Sequence, residues 1–219
     1  MNTLYELLIG PVSWLAWGVL VLGVLYRLTY MYALAKKKDV TSIAYMDFYY
    51  GSRSILRWII PFSTIGWQKS PLVTAVTFVF HLCLLATPIF LGAHVMLWDY
   101  YWGVSWPTLP DQIADYATVA VIAACAFFGV RRLMIPEVRF VTTWRDWATL
   151  ILVVSPFLTG FLAYHQIFNY PFMITLHIVC GLAWLAFLPF SRLSHILFFW
   201  TNRAYIGSEF GGVRKCKDW

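Results

Sequence analysis

Residues 171–200, from Pro171 to Trp200, read PFMITLHIVCGLAWLAFLPFSRLSHILFFW. The run is almost unbroken in its apolar character. It is longer than the roughly 20 residues a helix needs to cross the hydrocarbon of a bilayer. It carries His177 and His195, eighteen residues apart. Eighteen residues are five whole turns at 3.6 residues per turn, so a single helix would carry both imidazoles on one face, about 27 Å apart along its axis. Ionisable side chains are costly inside a membrane and mark function when they occur there. Neutral imidazole is a common metal ligand. Two stacked metal sites are therefore expected, with haem iron as the metal. One helix supplies one axial ligand per haem, so the chain must offer a second pair of histidines.

The composition agrees with a membrane chain. Of 219 residues, 61% are hydrophobic, 19% aromatic and only 12% charged. This is the profile of an all-α polytopic membrane protein. We read residues 1–219 as a single domain, since no low-complexity linker or repeat divides them. No Lys or Arg stands in the first residues, so no cleaved signal peptide is expected. Cys83, Cys125, Cys180 and Cys216 are scattered and form no CxxC. Neither a zinc site nor covalent haem attachment is indicated. No nucleic-acid partner is expected.

Five spans are read at about 11–34, 71–95, 113–131, 147–166 and 171–200. The sixteen basic residues then all fall on one side or at that side's helix ends. The other side holds only Glu6, Asp99, Asp111 and Asp115. The positive-inside rule places the N-terminus outside and the C-terminus in the cytoplasm. The expected location is the inner (cytoplasmic) membrane of a bacterial or archaeal cell. Residues 40–67 mix aromatic residues with Asp47, Arg53, Arg57, Gly51 and Pro61 and are expected to be an interfacial amphipathic segment. Residues 97–110 read as an outer loop whose Trp and Tyr suit the headgroup region. Residues 201–219 read as a cytoplasmic tail.

The second pair of histidines is His81 and His94, on the second span. That span runs outward and the fifth runs inward. His94 and His177 thus lie toward the outer face, and His81 and His195 toward the inner face. Two antiparallel helices offer two pairs at two depths, as bis-histidine ligation of two haems requires. On an ideal helix their separation of thirteen positions leaves His81 and His94 about 140° apart, but Pro88 can kink the helix and Gly92 eases close approach. His165 ends the fourth span at the outer face.

Leu188-Pro189-Phe190-Ser191-Arg192-Leu193-Ser194-His195, with His177 eighteen residues before His195, resembles the gamma, cytochrome b subunit of membrane-bound respiratory nitrate reductases. So do Arg131-Arg132-Leu133, Pro136, Val138, Arg139, Thr142 and Thr143 between spans three and four. The likeness is strongest over about 113–200. It implies a dihaem b-type cytochrome that exchanges electrons with quinone and anchors cytoplasmic redox subunits. The family pattern gives the outer haem b His94 and His177, and the inner one His81 and His195. The same subunit type occurs in transmembrane electron-transfer complexes of sulfate-reducing bacteria, beside multihaem cytochromes c and iron–sulfur proteins. The tail from Gly211 to Trp219 departs from the nitrate reductase subunit.

The expected chemistry is electron transfer between a quinone pool, or a periplasmic cytochrome, and a cytoplasmic iron–sulfur partner. No nucleophile, phosphate loop or carboxylate pair suggests catalysis by the chain alone. The chain reads as a subunit of an oxidoreductase complex. Arg192, Arg131 and Arg132 are candidates to hold haem propionates. A quinone site, for menaquinone, is expected near the outer haem, with His165 exchanging the proton. Asp111 and Asp115 stand on the same side. The inner face sums to about +10, from sixteen basic residues against Asp39, Asp47, Glu137, Asp146, Glu209 and Asp218. It suits a charge-complementary partner or anionic membrane lipids. The competing expectation is a non-redox anchor, or a proton- or solute-conducting subunit with a histidine-lined path.

Overall fold

The computed structural model describes residues 2–39 and 44–219, and among these every regular element is helical. Five helices are long and apolar enough to cross a membrane: Thr3–Lys38, Pro71–Phe90, Asp111–Met134, Trp144–Tyr164 and Tyr170–Phe190. The chain divides into two compact units. One comprises Met1–Val12 and Val76–Trp184, the other Ser13–Ala75 and Leu185–Trp219.

The first span is α1 (Asn2–Leu7), a π-helical stretch over Leu8–Val12 and α2 (Ser13–Lys38). Pro11 lies in the π stretch, where a proline without an N–H is accommodated by the wider turn. Three lysines close α2, beside the carbonyl end of its dipole.

In the Ser13–Ala75 and Leu185–Trp219 unit, α3 (Phe48–Ile59) begins at Asp47, whose carboxylate accepts from Tyr50 N at 2.9 Å. A short α4 (Ile65–Lys69) begins at Thr64. Twelve residues span only about 18 Å, too short to cross a membrane. Residues 40–43 of the expected interfacial segment lie outside the described residues. One face of α3 presents Gly51 and Ser54, both buried, and the opposite one presents Tyr49 and Leu56, both exposed.

The second and fifth spans differ from expectation. The stretch 71–95 is two helices, α5 (Pro71–Phe90) and α6 (Gly92–Trp102), parted at Leu91 with φ −69 and ψ 128. Leu97–Trp102, expected in the outer loop, therefore belongs to a helix. The stretch 171–200 is not one helix either. α10 (Tyr170–Phe187) ends thirteen residues before Trp200 and is followed by 3₁₀ turns at Leu188–Phe190 and Arg192–Ser194. A new helix, α11 (His195–Gly207), then begins. Pro189 brings no N–H, and Ser191 is extended at φ −103 and ψ −177. The five-turn register between His177 and His195 does not hold across that break.

The expected tail is ordered as well. α11 runs to Gly207 and a π-helical turn covers Ser208–Val213. α11 packs on α3 through small residues. A Cβ added at Gly51 would lie 3.2 Å from Ala204 Cα. The Arg53 guanidinium sits 4.7 Å from the Trp219 ring, and Arg203 lies 4.2 Å over Trp58. Asp218 accepts from Ser54 and faces Arg203 at 3.9 Å.

In the other unit, α7 (Asp111–Met134) packs against α9 (Trp144–Tyr164), with α8 (Pro136–Val141) between them in sequence. Ala114, Val121, Ala124 and Cys125 are buried on α7, and Val153, Phe157 and Ala163 on α9. Small residues let the two backbones approach, which matters in lipid because packing and not water exclusion joins helices there. Phe80 on α5 meets Phe128 on α7 edge-on, with ring centres 5.5 Å apart.

Candidate functional site

The break at Leu91 shapes the first ligand candidate. A helix end leaves its last carbonyls without partners. In α5 each of the last four has one. Thr87 O accepts from Leu91 N at 3.0 Å, and Phe90 O accepts from Leu109 N at 2.9 Å. Ile89 O accepts from Trp106 Nε1 at 2.9 Å. Pro88 O pairs with His94 Nδ1 at 2.9 Å. The imidazole of His94 is thus part of the cap, and Nδ1 is its donor. Nε2 keeps its lone pair, the form in which imidazole ligates a metal.

His177 lies inside α10 and is positioned by a neighbouring helix. Its Nδ1 donates to Pro156 O on α9, at 2.8 Å. Gly160, one turn along α9, makes room for the ring. A Cβ there would lie 2.9 Å from both Cε1 and Nδ1 of His177. A backbone carbonyl on Nδ1 fixes the tautomer and ring direction of a ligating histidine and raises its basicity.

The two rings meet. The centres of His94 and His177 are 6.0 Å apart and their planes differ by 11°. A metal held by two Nε2 atoms at about 2 Å each would place the ring centres about 6 Å apart. A Cβ added at Gly92 or at Gly181, four residues past His177, would meet no atom within 4 Å. Among the described residues, no group of three or more His, Cys, Asp or Glu is placed to hold a metal ion. The donor set here is two facing imidazoles, flanked by glycines with open space. It fits a metal that brings its other ligands with it, as the iron of a flat macrocycle does.

The other two candidates belong to different units. His81, on α5, has Nδ1 2.7 Å from Thr77 O. His195, at the start of α11, has Nδ1 2.9 Å from Arg192 O. Both share with His94 and His177 a backbone carbonyl at Nδ1.

His165 is engaged differently. Its Nε2 lies 2.8 Å from Asp115 Oδ1, joining the C-terminal end of α9 to the first turns of α7. Sequence reading had set these two residues on one side without pairing them. His165 is five residues past Gly160, about 7 Å further along α9.

The arginine candidates separate. Arg132 Nη1 reaches Asp146 Oδ1 at 3.6 Å, and Asp146 is buried. Asp146 Oδ2 also accepts from the N–H and hydroxyl of Thr143, both at 2.8 Å, at the start of α9. Arg132 thereby ties α7 to the N-terminus of α9. Arg131 Nε is buried with no hydrogen-bond partner, as is Arg132 Nε. Arg192 lies in the 3₁₀ turn before His195, in the other unit.

Sequence reading did not single out Pro156, Gly160 or Trp106. Pro156 and Gly160 carried a signal, since residues four apart share a helix face. Trp106 carried none, because its role is to satisfy a carbonyl seventeen residues away.

The chain is similar to a protein of Nitratidesulfovibrio vulgaris, 33% identical over 213 residues that cover 94% of this chain and 93% of the relative. No family model and no solved structure matches the chain.

Proposed function

We propose that this chain, which belongs to the same family as that Nitratidesulfovibrio vulgaris protein, is a dihaem b-type cytochrome subunit of a membrane respiratory complex. The observation that carries the proposal is the His94–His177 pair, 6.0 Å between ring centres, with each Nδ1 held by a backbone carbonyl. The resemblance to the nitrate reductase gamma subunit supports it. Haem, when bound, supplies one-electron redox chemistry. The residues of the chain hold and orient it. His94 and His177 would hold the outer haem, and His81 and His195 are the candidates to hold the inner one. Arg131 and Arg192 are the first candidates for the propionates. Arg132 has its charge shared with Asp146.

The N-terminus is taken as outside, from the basic residues gathered on one side. His165 is the candidate to exchange a proton with a quinone, with menaquinone expected, at the outer end. Its partner Asp115, with Oδ1 2.8 Å from Nε2, supports that role by orienting the ring. The inner face is proposed to hold an iron–sulfur partner in the cytoplasm. Phe140, 91% exposed between Arg139 and Arg145 in sequence, and α3 offer apolar contacts within a basic surface. A periplasmic multihaem cytochrome c is the alternative partner at the outer end.

The purified protein should show a dithionite-reducible b-type spectrum with two haems per chain. His177→Ala should lose one haem and keep the other. A protein without haem would overturn the proposal and leave a non-redox anchor or a conducting subunit. His165→Leu should slow haem reduction by a menaquinol analogue with both haems retained. Unchanged kinetics would remove His165 from the quinone reaction.

A further inference from the structure

The Nδ1 partners of His81, His94 and His195 lie within six residues of them in sequence, whereas that of His177 is 21 residues away, on α9. That makes its ring plane a property of helix packing and not of a local turn. The Pro156 carbonyl holds the N–H, and the missing side chain of Gly160 lets the ring lie against α9. The distances leave little slack, since a Cβ at Gly160 would stand 2.9 Å from two atoms of the ring. Gly129, on α7 facing the same α9, is unlike it. A Cβ there would meet Leu150 Cδ2 at an ordinary 3.5 Å.

We propose that Gly160, together with the Pro156 carbonyl, is a positioning residue that sets the plane of the His177 imidazole nearly parallel to that of His94. The inference rests on the haem reading above. It adds a statement about this chain's own geometry, the 11° between the two ring planes. Ring plane matters because each axial imidazole interacts through its π system with one iron d orbital. Parallel rings act on the same orbital and split the pair, which gives a rhombic low-spin ferric signal. Crossed rings leave the pair nearly equal in energy and give a highly axial signal. The hydrogen bond to Pro156 also makes the ligand more basic, which favours ferric iron and lowers the potential.

The test is electron paramagnetic resonance of the oxidised, purified protein with both haems bound. One of the two low-spin signals is expected to be rhombic, and it is the one lost in His177→Ala. In Gly160→Ala that signal shifts toward the axial form and the midpoint potential of the same haem rises. The second haem keeps its signal and potential. Gly129→Ala, the packing control, leaves both haems unchanged. Two highly axial signals in the native protein would overturn the proposal. So would a rhombic signal that Gly160→Ala does not move. If Gly160→Ala assembles without its outer haem, the native spectrum decides alone, rhombic for and axial against. Absence of any haem would defeat the functional reading itself, whereas two haems with unmoved signals defeat only this inference.

Discussion

Two helix breaks repeat one pattern with different supports. Pro88 precedes His94 by six residues, and Pro189 precedes His195 by six. In each case a helix ends near the proline and a new one begins at or just before the histidine. At Leu91 the break is held by hydrogen bonds. The His94 ring, Trp106 Nε1 and the Leu109 N–H all satisfy carbonyls at the end of α5. At 188–194 it is held by packing and by local turns. Pro189 and Phe190 wedge against α2 where Gly23 leaves space, and a Cβ at Gly23 would lie 2.6 Å from Pro189 Cγ. Ser191 Oγ accepts from Leu193 N at 3.2 Å, and His195 Nδ1 pairs with Arg192 O. A break that must aim a side chain can thus be stabilised by satisfying its carbonyls or by filling its concave side. The two supports should fail separately.

The largest expected effect comes from His94→Ala. It removes a candidate haem ligand and leaves Pro88 O without its donor. One of two haems should be lost, and the local cost is about 1–3 kcal/mol. Haem content with hydrogen exchange over residues 86–98 measures both, and full haem retention would break the comparison at its first member.

Gly23→Leu is next. A side chain cannot fit between α2 and Pro189, and overpacking of this kind costs about 3 kcal/mol. The thermal midpoint of the detergent-purified protein should fall well below that of Gly18→Leu, because Gly18 has no atom within 4 Å of an added Cβ. Equal midpoints would mean that the wedge does not hold the second break.

Ser191→Ala should cost about 1 kcal/mol, the value of a side-chain cap at a helix start. Exchange should quicken across 190–197 and stay unchanged across 88–95. The smallest effect belongs to Trp106→Phe, which removes one donor to Ile89 O while keeping an aromatic ring. About 0.5–1 kcal/mol is expected, seen as faster exchange across 88–95 alone. Equal loosening of both regions by either change would show that the supports are not separate.

Much of the fold was readable from the residues. The third and fourth apolar stretches came within three positions of their helices, the first began eight residues after its helix does at Thr3, and the second and fifth are interrupted. Pro88 announced a disturbance, but the position of the break did not follow from it. A proline permits several breaks, and the chain breaks where the freed carbonyls find donors. The same limit applied to Pro189, which was read through as part of a continuous helix. For the site, the histidines were visible as polar residues in apolar runs, and the approach of His94 to His177 followed from counting depth. The angular misfit of His81 and His94 on one ideal helix disappears once they stand on two helices, α5 and α6. Arg132 was one of three candidates for a propionate, and its pairing with Asp146, fourteen residues on, was not readable from the sequence.

What the residues determined by themselves is local. Apolar length makes the spans, and the absence of an N–H at proline disturbs them. What only the tertiary structure decided is which groups face each other across helices. Pro156 O meets His177 across 21 residues of chain, Asp115 meets His165 across 50, and Ser54 meets Asp218 across 164. The reason is physical. In lipid, the surface against a neighbouring helix is as apolar as the surface against hydrocarbon, so the sequence pattern scarcely marks which face packs. Small residues and single carbonyls choose the contacts, and their effect exists only once two backbones are close.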